Sequence, residues 1–495
     1  MDVQFIGVVV FFLGVYFLVK GPELGFYIFI SSAVLGSCAA AILTSVGNST
    51  LQPAHLLLGF LTVSVLKEKQ NWRPVIHCMT FPREGFWFVA TALYGGVTAY
   101  LYPRIFAGSV YVNAIGVTEF GFPFIQVPLG PSSGNITQSV YFFGNVLCFL
   151  MCYTYARTEA GFRTLFNAML LYCFMNIVFA ILDIATFWTN TTYLLEFIRN
   201  STYKLHNETV IYGLKRIVGS FTEASAFAYA TIGILGFTLR LWLGGVRPAL
   251  TLTLSVISAL LIIFSTSSTA YAALPLLMAF VYGTSLVRAI REPVQTTTKL
   301  FLVFTPLFVV FVATAVMVHP TTSAVIKSFA DTLLFDKSTS DSGLERASWN
   351  KAAISAFFST YGLGAGVGSV RSSSFALAVI GNMGFVGTIL YFTFIGLTLL
   401  RRDKSPIPEK AFEIRAACRT GCVGILISAI ISGALIDLGL PFYIFAALAT
   451  AAGEAPLKSI VQSKSAISPN HKQPIARLRP RFSYAKKPST SAPVT

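Results

Sequence analysis

Charge is what this sequence has least of. Only 11% of its 495 residues are Asp, Glu, Lys or Arg, against 55% that are apolar. A chain so poor in charge cannot cover a globule of this length with a hydrated surface, so a water-soluble protein is excluded. Histidine is scarce as well, five in all, and the seven cysteines (Cys38, Cys78, Cys148, Cys152, Cys173, Cys418 and Cys422) contain no Cys-x-x-Cys pair. Cys148 and Cys152, and likewise Cys418 and Cys422, would share a helix face, yet no nearby histidine completes a tetrahedral set. Small apolar packing is therefore their expected role, with no metal site and no disulfide framework.

Hydrophobic runs fill the space that charge leaves. Mean hydropathy is +0.70, and apolar stretches of the length that carries a helix across roughly 30 Å of hydrocarbon recur along the chain. Their backbone polar groups must pair internally, which in lipid favours helices. The expected fold class is all-α: a polytopic membrane protein with about thirteen spans (twelve to fourteen) near 3–19, 25–45, 51–66, 85–103, 137–156, 164–186, 222–239, 248–264, 269–287, 300–318, 374–397, 419–436 and 438–453. The first run has no basic region before it and is followed at once by another, so it reads as a retained span rather than a cleaved signal.

Basic residues orient the bundle. Lys67, Lys69, Arg73 and Arg83 share one short loop; Arg157 and Arg163, Arg240 and Arg247, Arg288, Arg291 and Lys299, and Arg401 to Arg419 fall on successive alternate loops. Retention of Lys and Arg in the cytoplasm places those loops there. Residues 1–453 form the membrane domain. In the segment 454–495, eight basic residues follow Glu454 with no further acid, half of the net charge of +16. That tail is expected to be disordered and cytoplasmic, lying against anionic lipid head groups; aromatic residues are too sparse in it to support nucleic-acid binding. Three long loops, near 104–136, 187–221 and 319–373, fall on the opposite side, where binding or catalysis is to be sought.

Two stretches in those loops carry chemistry. Around Lys215, Arg216 and Glu223, two cations and a carboxylate sit where a loop enters a span, a costly position unless they are paired or used. A structural Arg216–Glu223 ion pair is the competing reading. The second stretch holds Glu345, Arg346 and Trp349, an apolar helix, then Gly362, Gly364, Gly366 and Gly368 before Arg371, Ser372 and Ser373. Alternate glycines let a backbone approach a ligand, and successive amides could cup an anion. The arginines that bracket the turn offer bidentate hydrogen bonds to phosphate oxygens. Glycines at this spacing also fit a helix–helix contact of the GxxxG kind.

In this order the pieces resemble the O-antigen polymerase and ligase superfamily, most closely the exopolysaccharide polymerases of the ExoQ type. The stretch Gly219 to Gly236 precedes two spans joined by the serine-rich turn Phe264 to Thr269. A loop follows with Arg346, Trp349 and Ala353, then Gly364-x-Gly366-x-Gly368, then a helix with the small-residue turn Gly381 to Gly387. The resemblance covers residues 213–400. Many members, above all the ligases, carry a His-Asn pair where this chain reads Arg371-Ser372-Ser373, which favours polymerase over ligase and makes Arg371 the replacement for that histidine.

The resemblance implies a fold similar to the membrane glycosyltransferases (GT-C-like) and an enzyme in the bacterial inner membrane that joins undecaprenyl-pyrophosphate-linked repeat units at the periplasmic face. Donor and acceptor are both lipid-linked glycans. Chain-length regulator and export proteins are expected partners, and no cofactor or metal is needed. Arg216, Arg346 and Arg371 would stabilise the departing pyrophosphate, and Glu223, or failing that Glu345, would take the acceptor proton. Lys215, Trp349, Gly364, Gly366, Gly368, Ser372 and Ser373 would bind substrate. A ligase using the same donor is one alternative. A transporter or flippase is another, disfavoured because no internal repeat or paired helix breaks stand out and because Asp183 and Asp437 lie near span ends.

Overall fold

A computed structural model describes residues 1–115, 126–202, 210–211, 213–318, 340–401 and 408–451, with isolated positions at 323, 328 and 331. The chain divides into two units, Met1–Pro456 and Leu457–Thr495, and every described residue belongs to the first. The expected tail at 454–495, and parts of all three long loops, lie outside the described residues.

Helices dominate: α1 (Phe5–Lys20), α2 (Pro22–Ser32), α3 (Pro53–Leu66), α4 (Trp72–Cys78), α5 (Glu84–Ile105), α6 (Ser133–Ala156), α7 (Glu159–Trp188), α8 (Ala224–Leu243), α9 (Pro248–Phe264), α10 (Ser268–Arg291), α11 (Thr296–Val318), α12 (Asp341–Ser359), α13 (Phe375–Leu400), α14 (Glu409–Ser432) and α15 (Leu440–Ala451). Seven of them, α6, α7, α8, α10, α11, α13 and α14, are long and apolar enough to cross a bilayer, and α1, α3, α9 and α15 are shorter apolar helices. The chain is a multi-pass membrane protein by this measure. Proline begins α2, α3 and α9, where its missing amide has no intrahelical partner to lose.

The faces of these helices fit lipid as solvent. Along α1, Gly7, Val10, Gly14 and Phe17 are buried while Phe5, Phe11, Phe12 and Tyr16 are exposed, so one apolar stripe packs inward and another has only lipid to meet. Helix α11 takes this furthest: just 6% of its apolar window is buried. By contrast 78% of the α8 window is covered, and its closest neighbour is α14. A Cβ on Gly236 would lie 2.9 Å from the Thr420 carbonyl, and one on Gly424 would lie 2.8 Å from that of Ile232. Glycine lets these two backbones touch where any side chain would hold them apart.

Of the thirteen expected spans, seven are helices long and apolar enough to cross a bilayer and four are shorter apolar helices; those at 25–45 and 85–103 are neither, and the first is not a single helix. Instead of a helix through 25–45, α2 ends at Ser32 and the chain turns into a strand, Ala41–Leu43, that pairs antiparallel with Asp2–Val3 and with Ser49–Leu51. Its entry is held by polar groups distant in sequence: the Ser37 amide donates to the Ser220 carbonyl at 2.9 Å and the Ala39 amide to Asn200 Oδ1 at 2.8 Å. Small apolar residues satisfy a hydropathy window equally well in a buried loop. Two further short hairpins, Tyr111–Asn113 with Gln126–Pro128 and Val210–Ile211 with Leu214–Lys215, add minor β structure to the expected all-α class.

The long segments meet at one end of the bundle. There the Arg371 amide donates to Asn113 O at 2.8 Å and the Ser372 amide to Ala434 O at 3.3 Å. At the other end Arg401 pairs with Glu84 at 2.8 Å and Lys67 donates to Leu18 O at 2.9 Å. The glycine segment is not helical. Gly362, Gly364, Gly366 and Gly368 have φ of +79°, +86°, +93° and +82°, which excludes the GxxxG helix contact. Such a loop inside a membrane protein must have its amides paired. Asn382, fully buried on α13, does most of this: its Oδ1 accepts from the amides of Ser369 and Val370 at 3.1 and 3.0 Å, and its Nδ2 donates to the carbonyls of Val370 and Ala378 at 2.7 and 2.8 Å. Asn135 on α6 donates to Val367 O and Ser369 Oγ, each at 2.8 Å. Asn382→Leu strands several buried groups at once and is expected to cost about 3 kcal/mol or more; heating the purified protein in detergent should show it, whereas Asn200→Ser at the loop edge should shift the midpoint much less.

Candidate functional site

Five of the expected site residues come from three separate stretches of chain. Glu223 is the N-cap of α8, and Arg216 lies in the loop just before it. Arg346 and Trp349 are one turn apart on α12 and so share a face. Arg371 follows the glycine loop, and its guanidinium lies over the Trp349 ring, 4.1 Å from the centroid, a cation–π contact that fixes both groups. Beside it Asn350 Oδ1 accepts from Ser372 Oγ and from the Ser373 amide, each at 2.8 Å. The loop that presents Arg371 is therefore fastened to the helix that presents Arg346.

Arg216 links this assembly to α8. Burial holds its guanidinium below the usual arginine range; the nearby Glu223 carboxylate opposes that shift and the nearby Arg346 cation adds to it. Both charges thus act on Arg216. Arg216 and Glu223 form no ion pair among the described residues, and Arg216 Nε has no hydrogen-bond partner there. Glu223 instead accepts from Ser225 Oγ. A half-buried arginine with a carboxylate in range but not clasped to it, and a second arginine close by, is a cationic centre with a proton acceptor at its margin. Glu345, on the same helix as Arg346, is exposed.

Other expected residues have different neighbours. Lys215 donates to Asp183 Oδ2 at 2.7 Å, deep in the protein. Arg199 reaches Asp183 Oδ1 at 2.5 Å, and the amides of Val218 and Gly219 donate to Oδ2 at 2.9 and 3.1 Å. Asp183 is fully buried, so this knot of one carboxylate, two cations and two amides anchors the loop that ends at Arg216. Gly364, Gly366 and Gly368 are packed against other backbones: a Cβ on Gly364 would meet Gly384 N at 2.5 Å, one on Gly366 would meet Thr98 O at 2.6 Å, and one on Gly368 would collide with Gly134 O. The amides of Gly364, Ala365 and Gly366 are already given to Thr360 Oγ1, Gly381 O and Asn382 O. Close packing, rather than an exposed row of amides, is what these glycines show. In the serine-rich turn, Thr266 (φ +48°) and Ser267 are fully buried, and neither Thr266 Oγ1 nor Ser267 Oγ has a hydrogen-bond partner among the described residues.

Sequence reasoning weighed Asp183 only as a span-end residue, took Asn382 only as part of the small-residue turn, and passed over Arg199 and Asn350. Their common signal is a polar side chain inside or beside an apolar run, which marks a position that must have a partner. No family model, curated protein or solved structure matches this chain.

Two substitutions separate scaffold from site. Asp183→Asn leaves Arg199 and Lys215 as buried cations and is expected to destabilise the protein by about 3–5 kcal/mol, seen as a lower melting midpoint and a poor yield of monodisperse protein. Arg216→Gln removes a half-buried cation that no carboxylate clasps; thermal scans should show a midpoint unchanged or raised.

Proposed function

We propose that this chain is a glycosyltransferase of the membrane that polymerises lipid-pyrophosphate-linked sugar units, and that Arg216, Glu223, Arg346 and Arg371 do its chemistry. One observation carries the reading: Arg216 is half-buried with no clasped counter-ion among the described residues, within electrostatic reach of both Glu223 and Arg346. Structural arginines in this protein sit on carboxylates or carbonyls, as Arg199, Arg240 and Arg401 do. A cation left to face other cations is a binding device for an anion that comes and goes.

In this reading the donor diphosphate lies among Arg216, Arg346 and Arg371. The acceptor hydroxyl of a second lipid-linked glycan attacks the anomeric carbon, the bond from that carbon to the diphosphate oxygen breaks, and the electron pair leaves on the diphosphate. Fixed guanidinium groups stabilise that developing charge. Glu223 accepts the hydroxyl proton, and direct displacement inverts the anomeric centre. Trp349, already holding Arg371, offers an aromatic face to a sugar ring. With the basic loops inside, the site faces the periplasm of a bacterial inner membrane.

Arg346→Lys keeps the charge and loses the bidentate fork. The polymer made by cells carrying it is expected to fall at least tenfold in amount while the protein remains in the membrane, measured by gel analysis of extracted glycan beside an immunoblot. Wild-type polymer from that variant would remove Arg346 from the site. The purified wild-type chain in detergent should lengthen a lipid-linked oligosaccharide without any ion gradient, which a transporter cannot do.

A further inference from the structure

A groove of about 640 Å³ lies between α5 and α6, inside the range typical of ligand pockets. None of Arg216, Glu223, Arg346 and Arg371 lines it, and none of its lining residues is acidic. One end is polar, lined by Arg104 in the last turn of α5, by Ser45 and by Ser132, the N-cap of α6. About two turns back along α5 the character changes. Gly96 there faces the Phe143 ring, which a Cβ would approach to 3.0 Å, and Val140 lies one turn before Phe143 on α6. Tyr100, Val140 and Phe143 are exposed, so the groove is open along the outside of the bundle, where lipid is the solvent.

Arg104 is fixed at the polar end. Its guanidinium stacks on the Tyr100 ring, 4.1 Å from the centroid, and donates to the Tyr100 carbonyl at 2.5 Å, which orients the group without neutralising it. Both contacts lie within α5, and Arg104 forms no ion pair among the described residues. A guanidinium so held offers the rest of its fork to phosphate oxygens, and the hydroxyls of Ser45 and Ser132 are at hand for other head-group oxygens. The stretch along Val140 and Phe143 suits a hydrocarbon chain. With no carboxylate in the lining, nothing there receives the ammonium of a zwitterionic lipid, so charge complementarity favours a head group that is anionic overall.

We infer that this groove holds an anionic phospholipid, its phosphate at Arg104 and one acyl chain along Val140 and Phe143. This binding is independent of the proposed chemistry. Full-length protein in a neutral detergent is titrated, at constant ionic strength, with dihexanoyl phosphatidylglycerol, dihexanoyl phosphatidylcholine or inorganic phosphate, and binding is read by microscale thermophoresis. Saturable binding of the glycerol lipid is expected, with the choline lipid at least tenfold weaker and no binding of inorganic phosphate. Arg104→Gln, which removes the cation, and Val140→Trp, which fills the groove from an exposed position, should each raise the dissociation constant tenfold or more. Leu260→Trp, a change at another exposed position, on α9 and outside the groove, should leave it as it was. Wild-type protein that does not bind the glycerol lipid, or that binds the choline lipid or inorganic phosphate as tightly, overturns the inference. So does either groove variant, folded by its melting midpoint and monodisperse elution, that binds like wild type, and so does Leu260→Trp weakening binding as much as they do.

Discussion

Asn382 is the interaction on which the rest of the architecture turns. A membrane interior offers no water to an irregular backbone, so a loop can enter a helical bundle only if its amides and carbonyls find protein partners. The 362–373 segment does so through one buried amide side chain that accepts twice and donates twice, helped by Asn135 from another helix. Left-handed glycines make the approach possible, since a Cβ at 364, 366 or 368 would overlap neighbouring main chain. The loop in turn delivers Arg371 to Trp349, and α12 delivers Arg346 toward Arg216. Neutral amides thus hold the Arg371 side of the candidate centre, while the Asp183 ion pairs hold the loop that carries Arg216.

The same logic divides the charged residues into two populations. Asp183, Glu413 and Glu84 each hold one or two cations at close range. The Asp183 pairs lock a loop to α7, and those of Glu413 and Glu84 tie helices together at the other end of the bundle; removing one partner from the buried ones leaves the other costly. Arg216 belongs to the second population, carried on a loop that Asp183 anchors and clasped by no carboxylate among the described residues. Positions of that kind are expensive in a folded protein and persist when something charged is to be bound.

Much of the helical arrangement was legible in the sequence because lipid demands long apolar runs, and α9, from 248 to 264, matches its predicted bounds at both ends. The 25–45 segment was misread for a physical reason: Val34, Leu35, Cys38, Ala39 and Ala40 are apolar whether they face lipid or fill a buried turn. Arg216, Glu223, Arg346 and Arg371 were visible as charged residues in loops. Lys215 looked like their equal, and only the fold shows that it belongs to Asp183, thirty-two positions earlier in the chain. The glycine pattern was noticed for its spacing, but whether alternate glycines cup an anion or admit a neighbouring backbone depends on what stands opposite them. Asn382 carried no charge or periodicity to single it out.

The central claim is that guanidinium groups stabilise a diphosphate as it leaves a sugar. Phosphorus NMR on purified protein given a lipid-pyrophosphate-linked glycan tests this directly, by comparing wild type with the combined Arg216→Gln, Arg346→Gln, Arg371→Gln variant. Free lipid diphosphate should accumulate with wild type in step with glycan growth and stay at background with the folded variant. Equal release from both would contradict the account.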